Sequence, residues 1–174
     1  KLEEAKKFLE SIGMPKPQQA DVCCLALLTL ANIKEYDSWE NCSNEWIRIH
    51  DIIQFAKENY RVEYAENSRE TIRKQAMHPF RRGALIEDNG KATNSPNYRY
   101  RLTDEACALL KNLGSDRWDK ELSDFCSVHE SLIETYSSKK EMRKMPVKIN
   151  GQDFTFSAGK HNQLQKAIIE ELAP

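Results

Sequence analysis

The stretch "RETIRKQAMHPFRR", Arg69 to Arg82, sets the cations Arg69, Arg73, Lys74, Arg81 and Arg82 among Thr71, Gln75 and His78. Arg and Lys neutralise phosphate, while Thr, Gln, His and Arg carry donors and acceptors suited to the edges of bases. From Arg69 to Arg101, where Lys91, Arg99 and Arg101 join the set, eight basic residues face three acids, a balance of +5. The remainder holds 18 basic and 24 acidic residues, or −6, so a net charge of −1 hides a segregated distribution. Segregation of this kind usually faces a polyanion. A solvated charged face is the plainer reading of any charge run, and the order of elements decides against it.

Catalytic patterns are missing from the sequence. There is no GxSxG, no P-loop and no HExxH, and His50, His78, His129 and His161 are widely scattered. His50 sits just before the apolar stripe of its helix and reads as a packing or surface residue. A PD-(D/E)xK nuclease needs an Asp on one strand and Asp/Glu-x-Lys on the next, to hold a divalent cation and assist the attacking water. None of the six prolines precedes an Asp, and Asp/Glu-x-Lys occurs only at Glu4-Ala-Lys6, on a first helix. Cys126 and His129 are spaced for two metal ligands, but a structural zinc needs four and no second pair matches. No catalytic or metal-ligating residue is therefore assigned.

The elements that position the cations follow from periodicity. Residues 2 to 12 read as a short helix, and "DVCCLALLTLANI" (21 to 33) as a central one, apolar on nearly every side. A polar stretch with Trp39 and Trp46 reads as loop. Ile49, Ile52, Ile53, Ala56 and Tyr60 form one stripe of a helix over about residues 47 to 59. Asn67 or Ser68 caps the basic helix, whose Ile72 and Ala76 face the core at ~100° per residue. Lys74 then lies opposite them, flanked by Glu70, Thr71, Met77 and His78, and Pro79 ends or kinks the helix. "ALIED" and "YRYRL" read as two strands joined by the turn-rich "NGKATNSPN". Arg99 and Arg101 alternate with Tyr98 and Tyr100, so both point to one face of the hairpin. Thr103 or Asp104 caps "DEACALLKNL", which Gly114 stops.

Helix, helix, basic helix, hairpin, helix is the plan of a winged helix-turn-helix. The expected fold is mainly α with a small β wing, over residues 1–114. A helical connector follows over 115–145, with Leu122, Phe125, Val128 and Leu132 as its stripe and "SSKKEMRK" as a linker. Within 146–174, "PVKINGQDFTFSAG" alternates around an Asn150-Gly151 turn, and "KHNQLQKAIIEELA" reads as a helix. One hairpin and one helix cannot bury a core alone, so this segment is expected to open a second domain whose remainder is absent. In this scheme Arg69, Thr71, Arg73, Lys74, Gln75, His78, Arg81, Arg82, Asn94, Arg99 and Arg101 contact DNA. Arg81 and Arg82, at the helix end, fit phosphate better than bases.

Composition sets the bounds. A chain of 174 residues with 40% apolar and 30% charged residues is one ordinary domain, or one and part of another. No run approaches a membrane span, and nothing reads as a signal peptide. The first residue is Lys1 rather than Met, so trimming at that end is expected. Five cysteines without a CxxC pair, with Cys23, Cys24 and Cys107 inside apolar helices, suit free thiols in a reducing cytoplasm.

The stretches "NSRETIRKQAMHPFRRGALIEDN" and "NSPNYRYRLTDEA" resemble the N-terminal domain of the BsuBI/PstI family of type II restriction endonucleases. "FSAGKHNQLQKAIIEELAP" resembles the start of that family's catalytic domain, so the likeness covers most of the chain and implies that 146–174 opens a truncated α/β nuclease domain of the PD-(D/E)xK type. Its motifs are Ser-Arg-Glu-Thr-Ile-Arg, then His78-Pro79-Phe80, where Pro79 replaces the Gln expected before that Phe, then Asn94-Ser95. The resemblance implies a homodimeric, Mg2+-dependent bacterial or archaeal enzyme that cuts double-stranded DNA at a short palindrome, with metal ligands beyond residue 174. Glu170 and Glu171 would lie on the first nuclease helix, where a solvated end is the simpler reading. A winged-helix transcription regulator dimerising through residues 116 to 144 is the alternative, though it leaves the last hairpin and helix without a role. A protein-binding module is another, and it does not favour the +5 segment.

Overall fold

Cys23 through Ala31 are all buried, because α2 (Asp21–Ala31) is apolar on every side and has to be surrounded. The computed structural model describes the backbone of residues 1–142, 144–149 and 152–157, and side-chain surroundings through Lys140. Around α2 pack α1 (Leu2–Ser11), α3 (Ile49–Tyr60) and the basic helix. Asn32 closes α2 in the left-handed region at φ 54°, its N–H returning to the Leu28 and Thr29 carbonyls. Ile49, Ile52, Ile53 and Ala56 of α3 are buried as their spacing requires, and half-buried Tyr60 donates its hydroxyl to the Ile33 carbonyl at 2.8 Å.

The basic helix departs from expectation at Pro79. It runs as α4 (Arg69–Ile72), a π-helical stretch (Arg73–Met77) and α5 (His78–Arg82), so Pro79 does not end it. A proline has no N–H for the carbonyl four residues back, here Gln75, and its ring crowds that carbonyl. The π stretch relieves the crowding by adding a residue to the turn, and His78 N–H reaches back five residues to Arg73. The freed Gln75 carbonyl instead accepts from the Gln18 amide at 3.3 Å and the Cys23 thiol at 3.4 Å. The wider turn also rotates Met77 inward. It is fully buried with Ile72, Ala76 and Phe80, and does not flank Lys74 as a regular helix would have it. Ser68 precedes α4 but makes no side-chain capping bond.

Two short antiparallel strands follow, β1 (Ile86–Asp88) and β2 (Tyr100–Leu102), registered Ile86↔Leu102, Glu87↔Arg101 and Asp88↔Tyr100. They are shorter than the sequence pattern suggests, and Ile47 adds one bridge to Tyr100. Thr103 caps α6 (Asp104–Lys111), accepting the Ala106 N–H, and Gly114 follows at φ 81°.

The last described helix, α7 (Trp118–Met142), replaces the expected linker, since "SSKKEM" is helical. Phe125 is buried, with Leu122 and Leu132 half-buried, but Val128 is 48% exposed and drops out of the stripe. His129 contacts the Gly83 carbonyl at 2.6 Å, which ties α7 to the end of the basic helix. β3 (Lys144–Ile149) and β4 (Gln152–Ser157) pair from Lys144↔Ser157 to Ile149↔Gln152, the hairpin expected around Asn150-Gly151. The helix expected over 160–173, with Glu170 and Glu171, lies outside the described residues. The fold is mainly helical with small antiparallel sheets.

Candidate nucleic-acid interface

A fully buried inner face of Ile72, Ala76, Met77 and Phe80 fixes which side of the basic helix meets water. Thr71, Lys74 and Arg82 are exposed there, and the Lys74 side chain stands 71% exposed, 3.6 Å from Glu70. Arg73 is held by Glu70 at 2.8 Å, and its Nε is buried without a hydrogen-bond partner. Arg69 pairs with Glu66 and lies 3.2 Å from His50 Nδ1. Gln75 is turned aside, its amide directed to the Pro17 carbonyl at 3.5 Å. The net +5 of the segment is thus partly balanced in place, by exposed pairs worth little each.

At the hairpin the cations divide. Arg101 caps Glu87 at 2.8 Å and lies over the Trp46 ring at 4.3 Å. Arg99, on the same face in the alternation, turns to the backbone carbonyls of Pro96 and Tyr98 at 2.8 and 3.0 Å. Arg81 bonds Asp88 at 3.2 Å and the Tyr98 hydroxyl at 2.9 Å, so it braces helix against strand. Arg82 and Lys91 have no ion pair among the described residues. Asn94, in the loop between β1 and β2, is exposed.

Glu87 and Asp88 are both nearly buried, and they gather the surrounding charge. Burial alone would raise the Glu87 carboxyl. Hydrogen bonds from Lys139 at 2.7 Å and from Arg101 outweigh it and hold the group below its ordinary range. Lys139 belongs to α7, so the acidic strand joins that helix to the hairpin.

An open cleft of roughly 500 Å³ separates the hairpin loop from the helices, lined by Arg48, His50, Arg69, Arg73, Asn94 and Ser95. Arg48 and His50 stand at the start of α3, far outside the +5 segment, and no local pattern in the sequence marks them. His50 is a surface residue, 3.1 Å from Glu66. Among the described residues no group of three or more His, Cys, Asp or Glu could hold a metal ion. Cys126 is exposed, while Cys23, Cys24, Cys42 and Cys107 are buried and unbridged. No helix of the described residues is long and apolar enough to cross a membrane.

A family model described as the BsuBI/PstI restriction endonuclease HTH domain matches residues 1–134. The chain is 36% identical over 178 residues to "Type II restriction enzyme BsuBI" of Bacillus subtilis, an alignment covering 99% of this chain and 56% of that protein. It is 25% identical over 177 residues to "Type II restriction enzyme AplI" of Arthrospira platensis, across 97% of this chain and 53% of the relative. Among solved structures, "Structure of SdaI restriction endonuclease" superposes with a TM-score of 0.71 at 25% identity, over 98% of this chain and 55% of the other. The chain spans about half the length of the curated relatives it matches.

Proposed function

The chain belongs to the BsuBI/PstI restriction endonuclease family, and from that premise we propose that it is the DNA-binding part of an enzyme that cuts double-stranded DNA. Residues 1–114 would act as a winged helix-turn-helix, with Arg69 to Arg82 in the major groove and the β1–β2 hairpin as the wing on the backbone. The observation that carries this reading is the one-sided basic helix. Its inner face is closed by Ile72, Ala76, Met77 and Phe80, leaving Thr71, Lys74 and Arg82 to meet a ligand.

Within it the roles separate by environment. Lys74 and Thr71 point away from the core and can reach base edges, and Arg82 suits phosphate. Arg69, Arg73 and Asn94 line the cleft beside the wing and grip a strand there, with His78 near the helix end. Gln75, Arg81, Arg99 and Arg101 keep intramolecular partners in the free protein. On DNA, Gln75 and Arg99 would exchange a weak internal contact for a phosphate, while Arg81 and Arg101 would keep Asp88 and Glu87 and contribute positive field.

The whole protein, by the same reading, is a cytoplasmic homodimer that acts at a short palindrome, since two-fold symmetry of protein and site go together. Residues 115–145 would connect the DNA-binding domain to a PD-(D/E)xK nuclease domain opening at 146–174. Mg2+ would serve that chemistry by activating water and neutralising charge. The described residues do not fit a Mg2+ site, and the ligands of that ion would come from the nuclease domain. The relatives named above are restriction enzymes, which does not favour the transcription-regulator alternative.

Fluorescence anisotropy with a labelled random-sequence duplex, titrated with the protein in EDTA at several salt concentrations, tests the reading. Binding is expected to weaken linearly in log salt. Salt-independent binding, or none at low salt, rejects it.

A further inference from the structure

Where α5 meets the last turns of α7, a second cleft of roughly 190 Å³ opens, lined by His78, Arg81, Arg82, Tyr136, Ser137 and Lys140. We propose that this cleft seats a phosphodiester of the DNA backbone, so that α7 is itself part of the nucleic-acid interface. The inference rests on the DNA-binding reading above and extends it to a helix outside the +5 segment.

The chemistry of the wall supports an anion. Its residues supply Arg81, Arg82 and Lys140 as cations and Ser137 as a neutral donor, with no carboxylate among them. Asp88, beside two of these cations, is already engaged by Arg81 at 3.2 Å, by Lys140 at 3.9 Å and by the Gly90 N–H at 2.8 Å. Tyr136 is held in place by donating its hydroxyl to Glu105 at 2.8 Å, so the ring forms a fixed side of the cleft. Arg82 and Ser137 are exposed from opposite walls, where a strand could enter.

The His78 imidazole gives an independent sign of the local field. Burial, and then the charges of Arg81, Lys140, Arg73 and Arg82, push it below its ordinary value. Positive charge from two helices converges there, and a phosphate would relieve it. The placement fits the basic helix as well. With Lys74 in the groove, the helix end carrying Arg82 lies toward the backbone, and α7 is fastened to that end through His129 and Gly83.

The test uses the full chain in EDTA with a short random-sequence duplex, comparing Ser137→Asp, Ser137→Asn, Lys140→Gln and, from the basic helix, Arg69→Gln. Ser137 is exposed, so placing a carboxylate there alters the cleft without disturbing a packed contact. The expected result is several-fold weaker binding for Ser137→Asp and Lys140→Gln, with parental binding for Ser137→Asn. The Lys140 variant should also lose about 0.9 from the slope of log affinity against log salt, the signature of one lost phosphate contact. If Lys140→Gln unfolds, the Ser137 pair decides alone. If Arg69→Gln weakens binding while Ser137→Asp matches the parent, α7 is no part of the interface and the basic-helix reading stands. If no variant changes binding, neither α7 nor the basic helix is the contact surface and this inference fails, whereas loss of the parent's own salt-dependent binding is what rejects the DNA reading.

Discussion

The carbonyl of Gln75 accepts the side-chain amide of Gln18 at 3.3 Å, filling the place that Pro79, four residues on, has no N–H to fill. The bond reaches across 57 residues of sequence and fastens the basic helix to the turn before α2. Gln18→Ala should therefore lower stability by about 1 kcal/mol. In a Pro79→Ala background, where residue 79 regains a donor, the same change should cost much less. Urea unfolding of the four variants of this cycle gives the coupling. Equal costs in both backgrounds would show that the Gln18 bond does not answer to the proline.

Glu87 lies between Arg101 and Lys139, nearly buried. Glu87→Gln should destabilise the protein by about 1–3 kcal/mol, because two cations lose the charge they are bonded to. The pH dependence follows from the lowered carboxyl. Its folded value lies under the reference of 4.5, so its stabilising contribution is full above that pH and is lost as pH falls through the folded value. Thermal melts below pH 4.5 should converge for parent and variant, and a constant gap would contradict the ion-pair account.

Arg81 and Arg82 are neighbours with opposite duties. Arg81 is bound to Asp88 and Tyr98, whereas Arg82 is exposed without an ion pair among the described residues. Arg82→Ala should leave the melting temperature unchanged and reduce the salt slope of duplex binding by about 0.9. Arg81→Ala should lower the melting temperature as well. Reversed behaviour would mean that the two side chains have exchanged roles in solution.

His78 provides a pH test of the interface. Because its folded value lies below 6.5, the unfolded chain takes up protons first, and stability falls as pH drops from about 6.5 through the folded value. A phosphate close by would raise the imidazole again. Affinity for duplex DNA should therefore rise as pH falls from about 7 toward 6, and the rise should vanish in His78→Gln. A parental response in the variant would place the titrating group elsewhere.

Lys74 and Gln75 differ in what they can read. Lys74→Ala is expected to cost about 1–3 kcal/mol against a preferred site and much less against random duplex. Gln75→Ala should alter the ratio little, since the Gln75 amide faces Pro17. Equal losses on both duplexes for Lys74→Ala would leave base reading to another part of the protein.

Much of this was legible in the amino-acid order. The buried stripe of α3, the apolar α2, the Thr103 cap and the two hairpins follow from periods of 3.6 and 2 and from capping and turn chemistry, all of them local. The uneven charge that marked Arg69 to Arg101 is likewise a property of the chain. What sequence could not supply was anything set by contacts between distant segments. A regular helix puts Met77 beside Lys74. Only the packing of Gln18 and Cys23 against the Gln75 carbonyl supports the π stretch that carries the helix past Pro79 and buries Met77. Eight cations against three acids leave a balance of +5, but which cations remain available depended on Asp88 and Glu87 of the strand meeting Arg81 and Arg101 once the helix and hairpin packed. The same holds for Arg48 and His50 at one cleft and for Ser137 and Lys140 at the other. Local periodicity fixes which face of an element is buried, whereas the charge and shape of a surface shared by several elements exist only once those elements have packed.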